Sequence, residues 1–215
     1  MTDFLQKLAL LGIGWALGFF TPLIKSAIEG RKRKKKVRNG IATELDDLRQ
    51  RLALAATTIE MISGGMTKDS IRYLKERVKP DFFPPSMQVF MAVTDRLLDT
   101  ADKDFSAAAA QVKAKQAGGI SLSKYSIPYT TTKLGDVSDF SEPEQQGVLQ
   151  VVTHLDLLNQ YVEESLFYRN LTFSSSIEEN NHEIAVGELK RCREHVATQG
   201  RIIVEMIENL TPKLR

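Results

Sequence analysis

Residues 41–62 read IATELDDLRQRLALAATTIEMI. Within them Ile41, Leu45, Leu48, Leu52, Ala55, Ile59 and Ile62 recur at alternating intervals of four and three over three heptads. That spacing keeps one stripe of an α-helix apolar while charged residues occupy the other faces. The helix is expected to stop at Gly64-Gly65, since glycine readily leaves the helical conformation. Two packings satisfy the stripe: a parallel coiled coil between two copies, or a helical bundle within one chain. Three heptads are short for a free-standing coiled coil, and Ala55 leaves the seam underfilled, so a bundle is the expected outcome.

Immediately before this helix, residues 31–38 read RKRKKKVR and hold seven positive charges: Arg31, Lys32, Arg33, Lys34, Lys35, Lys36 and Arg38. Further back, residues 8–24 contain no charged side chain. An apolar run of 17 positions, or 21 with Lys7 and Lys25 snorkelling at its ends, spans roughly 25–31 Å as a helix, about the hydrocarbon thickness of a bilayer. Its apolar residues surround the helix instead of forming one stripe, which suits a span better than an interfacial helix. A cleaved signal peptide would carry its charges before the run and a small-residue site after it; here the charges follow. The remaining alternative is a buried core helix. Residues 1–30 are therefore read as a transmembrane anchor, residues 31–38 as a polybasic juxtamembrane segment and residues 39–215 as the folded domain. The positive-inside rule puts the N-terminus outside and the domain in the cytoplasm, at the inner (plasma) membrane, single-pass. The same cations set topology and suit anionic lipid headgroups. Gly14 and Gly18 form a GxxxG pair, the spacing at which two transmembrane helices approach closely, so a homo-oligomer is one expectation.

After residue 62 the pattern predicts four further helices. The first covers 68–79 with Thr67 as N-cap and Ile71, Leu74 and Val78 inward. Pro80, Pro84 and Pro85 enforce a connection. The next runs from Ser86 to before Gly118-Gly119, with Met87, Met91, Thr94, Leu98, Ala101, Phe105, Ala108 and Val112 on one face. Residues 118–141 break the periodicity and read as an irregular insertion or a short hairpin, with 120–125 as a weak strand. Ser141 and Glu144 make a capping box, opening a helix with Val148, Val152, Leu155, Leu158 and Val162 buried. The last helix starts near Ile177 and carries Ala185, Leu189, Cys192, Val196, Ile203, Met206 and Leu210 inward. The sum is an all-α chain: an N-terminal transmembrane helix and a cytoplasmic bundle of about five helices, the last two long and antiparallel.

Charge and chemistry narrow the function. The net charge of +2 conceals an acidic domain: residues 39–215 hold 20 basic and 25 acidic side chains. Such a surface is a poor match for nucleic acid, whose binding rests on neutralised phosphates, and the basic run lacks aromatic residues to stack bases. One cysteine, Cys192, excludes an intramolecular disulfide. Glu179 and His182 make one Glu-x-x-His step, but no second copy accompanies it, as a di-iron bundle site would need. Cys192 and His195 lack further ligands at metal spacing. Arg191 and Arg193 flank Cys192, yet its place on the apolar stripe reads as structural. No GxSxG elbow, P-loop or dinucleotide fingerprint occurs. HEPN-type ribonucleases resemble the chain in being helical and carry an Arg and a His separated by four to six residues. No arginine stands at that distance before His154, His182 or His195, so the resemblance ends at architecture.

The expectation is a membrane-tethered interaction or scaffold protein with no catalytic, cofactor or metal site, an unidentified protein partner and no nucleic-acid partner. Tyr125, Tyr129 and Phe140, in the irregular segment, are the candidate partner contacts; the competing reading has them plug the bundle's own core. A membrane-perturbing or sensing effector of a bacterial defence or stress system is the second expectation, and an enzyme with an unrecognised bundle site the third.

Overall fold

The computed structural model of the chain describes residues 2–63, 67–82, 94–102, 104–107, 122–174 and 178–215; within 2–24 it describes side chains at Trp15, Gly18 and Thr21 alone. All regular structure among the described residues is helical.

The first helix, α1 (Thr2–Ser63), is 62 residues long and unbroken, on the order of 93 Å at 1.5 Å per residue. It joins the apolar run, the basic segment and the heptad stripe into one element. No helix among the described residues is long and apolar enough to cross a membrane. The expected span at residues 8–24 falls, but for Trp15, Gly18 and Thr21, outside the described side chains. From Val37 onward α1 is a bundle helix. Ile41, Leu45, Leu48, Leu52 and Ile59 are buried at 2% exposure or less, so the stripe is consumed within the chain. Ala56 is buried where the heptad count placed Ala55.

Helix α2 (Lys68–Arg77) begins as expected, with the Ser70 amide donating to Thr67 Oγ1 at 3.0 Å. It lays Ile71, Leu74 and Val78 against α1. A 3-10 turn at Pro80–Phe82 follows. The expected third helix is interrupted: residues 94–99 and 104–107 are helical, with a bend at Thr100 and coil at Ala101. Ala101, expected to face inward, is exposed. The Lys68 ammonium closes this corner, donating to the Thr100 carbonyl at 2.6 Å and pairing with Asp102 at 2.8 Å. Leu97 and Phe105 pack there with Met61 and Ile71 in a small apolar cluster. Met87, Met91, Ala108 and Val112 lie outside the described residues.

The segment expected to be irregular or a hairpin is irregular over about half of its described length and also carries two short helices. Residues 122–127 carry no regular structure, and two short helices follow, α3 (Pro128–Thr132) and α4 (Leu134–Val137). The sequence hid them because proline starts α3 and no side chain of its own caps it. The cap comes from another element. The Glu44 carboxylate of α1 accepts the amides of Tyr129 and Thr130 at 2.9 and 2.7 Å, satisfying donors that a helix start leaves open. Asn159 holds the stretch before α3 by pairing both its amide atoms with the Tyr125 backbone, each at 2.9 Å, and the weak strand expected at 120–125 does not form over its described residues 122–125.

The two long helices are α5 (Glu142–Thr172) and α6 (Glu179–Leu214). Ser141 and Glu144 form the expected capping box at the start of α5. The buried stripe of α5 holds Val148, Val151, Leu155, Leu158 and Val162, so Val151 takes the place expected of Val152. Gly147 meets Leu210, His154 meets Gln199 and Tyr161 stacks on His195, so α5 and α6 are antiparallel. Arg49 pairs with Glu208 and Glu60 with Arg201, which makes α6 antiparallel to α1 as well. The core is thus three helices, α1, α5 and α6, with α2 to α4 packed on α1 and around it. Burying each Leu or Ile side chain in it contributes about 1.5–3 kcal/mol.

Candidate functional site

The basic segment is a continuous part of α1, so each of its side chains has a fixed direction. Successive residues turn by about 100°. Val37 and Ile41 point into the bundle. Lys32, Lys35 and Lys36 therefore point away from it, within about 50° of the opposite direction, and all three are exposed. Arg33 and Arg38 lie about 70° to either side of the core direction, and both meet carboxylates. Arg33 donates to Asp136 at 2.7 Å, a carboxylate that Lys133 also approaches at 3.3 Å. Arg38 donates to Glu144 and its guanidinium lies 5.2 Å from the centroid of the Phe140 ring.

Glu144 is the centre of this clasp. It is 5% exposed, and it accepts the Ser141 amide at 2.8 Å and the Ser141 hydroxyl at 2.7 Å as well as Arg38. Burial pushes its carboxyl up, but the Ser141 hydrogen bonds and the Arg38 charge outweigh burial and hold it below the ordinary glutamate range. Asp136 is likewise held low: burial opposes it, and the hydrogen bonds from Arg33 and Lys133 win. The Arg33 pair is largely exposed, at 71% for the arginine side chain. Such pairs contribute up to about 1 kcal/mol. The Arg38 pair, at 28% and 6%, is the stronger constraint.

The three aromatic candidates sit against the bundle. Phe140 is 5% exposed in the main core, and Tyr125 and Tyr129 are half-buried beside it. The Tyr129 ring packs on α1 at Gly40, where an added Cβ would come within 2.3 Å of it. Burial raises the Tyr125 hydroxyl above its ordinary value, against a small opposing pull from Arg51. A glycine in the middle of a strongly patterned helix was the available signal that another element lies across α1 there. Gly18 has the opposite surroundings: an added Cβ would meet nothing within 4 Å, and its neighbour Trp15 is 74% exposed. The side chain at position 14 is outside the described residues.

A polar cleft that the sequence did not point to lies at the far end of α1. It is an open cleft of about 590 Å³ between α1, α2 and α6. Tyr73 is sandwiched there between the guanidinium groups of Arg77 and Arg201, each 4.2 Å from its ring centroid. Arg201 forks onto Glu60 with two bonds of 2.7 Å, Ser70 donates to the same carboxylate at 2.8 Å, and Arg77 pairs with Glu208 at 3.0 Å. The arginines thus have carboxylate partners already, and the arrangement joins three helices. Burial pushes the Tyr73 hydroxyl up to about 12, although both arginines pull it down.

The remaining candidates have structural surroundings. Cys192 is 1% exposed and its thiol donates to Glu164 at 3.7 Å. Burial, with Glu164 beside it, raises the thiol above its ordinary value, the wrong direction for a nucleophile. Glu179 and His182 are exposed in the first turn of α6, and His195 stacks on Tyr161 with ring centroids 4.8 Å apart. Among the described residues no three His, Cys, Asp or Glu side chains converge to hold a metal ion.

No protein-family model, no curated protein and no solved structure matches the chain.

Proposed function

We propose that the protein is a membrane-tethered helical scaffold, anchored through residues 8–24, with its basic segment at the headgroup level and its bundle on the cytoplasmic face. The observation that carries this reading is the continuity of α1. An uncharged run of membrane length, a dense cation segment and a bundle helix follow one another in a single continuous helix, with no linker between them. The order matches what a single-pass protein needs. The acidic remainder of the chain favours a protein partner over nucleic acid. Exposed Phe167, Phe173 and Ile184, at 60%, 83% and 62% on α5, the turn after it and α6, are suited to contact such a partner.

The test is carbonate extraction of membranes from cells expressing the full chain, followed by protease treatment of sealed vesicles. The chain is expected in the carbonate-resistant pellet, with the bundle cleaved only in inside-out vesicles. Release by carbonate would overturn the spanning anchor, and cleavage in right-side-out vesicles would overturn the orientation.

A further inference from the structure

We infer that the basic run is divided between two tasks, and that Lys32, Lys35 and Lys36 form an anionic-lipid site on the face of α1 turned away from the bundle. The inference rests on the membrane-tethered reading above. Seven cations lie within eight positions, and a sequence comparison of their charges makes them equivalent. Their surroundings separate five of them. Arg33 and Arg38 flank the core direction and donate to Asp136 and Glu144, so their charge is neutralised by the bundle's own carboxylates. Arg38 is also covered by Phe140 and has a side-chain exposure of 28%. Lys32, Lys35 and Lys36 are exposed and pair with no carboxylate among the described residues.

The geometry suits headgroups better than a compact ligand. The three ammonium groups share one helix face over little more than one turn, about 6 Å of axial rise, and no wall of protein encloses them. A planar array of lipid phosphates and carboxylates can approach such a face from the side. A lysine ammonium tolerates this mixture because it binds as a point charge without a required plane. Each lysine near an anionic surface raises lipid preference by roughly fivefold. Arg38 acts as the positioning residue: its bond to Glu144 fixes the azimuth of α1 relative to the bundle, so the three lysines face away from the bundle's acidic surface.

The test assembles the full chain into nanodiscs made from phosphatidylcholine with a tenth part, roughly, of phosphatidylserine, and measures the phosphatidylserine held relative to empty discs. Enrichment is expected for the wild type and for Asp136→Asn with Arg33→Gln, and is expected to vanish for Lys32→Gln with Lys35→Gln and Lys36→Gln. Circular dichroism should give the lysine variant a wild-type melting temperature, and Arg38→Gln a lower one. Enrichment that survives the lysine variant, or that the Asp136/Arg33 variant removes while still folded, overturns the division. So does retention of an RNA oligonucleotide that the lysine variant abolishes while lipid enrichment is absent. A chain that enters discs without enriching phosphatidylserine refutes the lipid site and leaves the anchor standing. A chain that stays outside the discs refutes the anchor.

Discussion

The two ends of the bundle are built on different principles. At the end where α1 enters, several elements fix one another. Glu144 serves at once as the capping partner of α5 and the acceptor for Arg38; Glu44 caps α3, and the Tyr129 ring fills the space that Gly40 leaves. At the other end α5 and α6 continue as a hairpin beyond the last ion pair that α1 makes, Glu60 with Arg201. Roughly six turns of α6 precede that level. There Phe167, Phe173 and Ile184 remain exposed. Polar bonds between elements determine the first end, and pairing of two helices along one seam determines the second. An end in which each group has two tasks should fail abruptly when one is removed; an end with spare surface should tolerate change.

The largest expected effect lies in the core that both ends share. Leu45 is 0% exposed, and Leu45→Ala should cost about 2–5 kcal/mol through lost burial and the cavity left behind, read as a lower midpoint in urea. Next is Gly40→Ala. Glycine to alanine within a helix ordinarily stabilises by about 1 kcal/mol. Here the added methyl collides with Tyr129, and the expected result is a loss of about 1–3 kcal/mol. Adding Tyr129→Ala to the same chain should recover part of the loss. A Gly40→Ala protein that gains stability would show that the Tyr129 ring does not occupy the space over Gly40.

Glu144→Gln comes third, at about 1–3 kcal/mol, because it leaves half-buried Arg38 with a weakened acceptor. Its pH signature separates it from a packing defect. The folded-state value of Glu144 is lowered, so its contribution is present above the ordinary value of 4.5 and is lost as pH falls through the lower folded value. Wild type should therefore lose stability below about pH 4.5, and the glutamine variant should follow a flatter curve. The far cleft behaves in the opposite sense. Tyr73 is raised to about 12, so what it contributes is present below its ordinary value of 10 and is lost as pH rises through about 12. A tyrosinate absorbance titration of wild type against Tyr73→Phe should show one group ionising late. Ionisation of every tyrosine near pH 10 would contradict the burial of the Tyr73 hydroxyl in the cleft.

The contrast between the ends also explains what was legible in the sequence. The bundle helices were readable because each carries its own apolar period, and the caps at Thr67 and Ser141 were readable because cap and partner lie three residues apart. Helices α3 and α4 were not, because α3 is held by Glu44 and Gly40, more than eighty positions away in the chain, and α4 by Arg33, which reaches Asp136 across 103 positions. The break at Thr100 depends on Lys68, also remote. The cleft around Tyr73 draws on α1, α2 and α6 together, and no local spacing announces it. The division of the basic run was hidden for the same reason: composition counts Arg38 with Lys36, and only Glu144 tells them apart.

The smallest expected effect belongs to the far end, and it is the sharpest check on the comparison. Phe173 is 83% exposed. Its ring has little burial to lose on unfolding, so Phe173→Ser should change stability by no more than about 0.5 kcal/mol, the range of an uninvolved surface site. The same substitution at Phe140, 5% exposed beneath Arg38, should cost several times more, because it removes a buried ring and places a hydroxyl in its space. Equilibrium urea unfolding of the two variants side by side measures the difference directly. Equal losses would mean that Phe173 is packed in solution and that the hairpin end is as fully determined as the end where α1 enters. Unequal losses, with Phe173→Ser also reducing capture of a partner by the full chain, would assign that ring to recognition, since a residue that contributes nothing to its own fold has its apolar surface free for another.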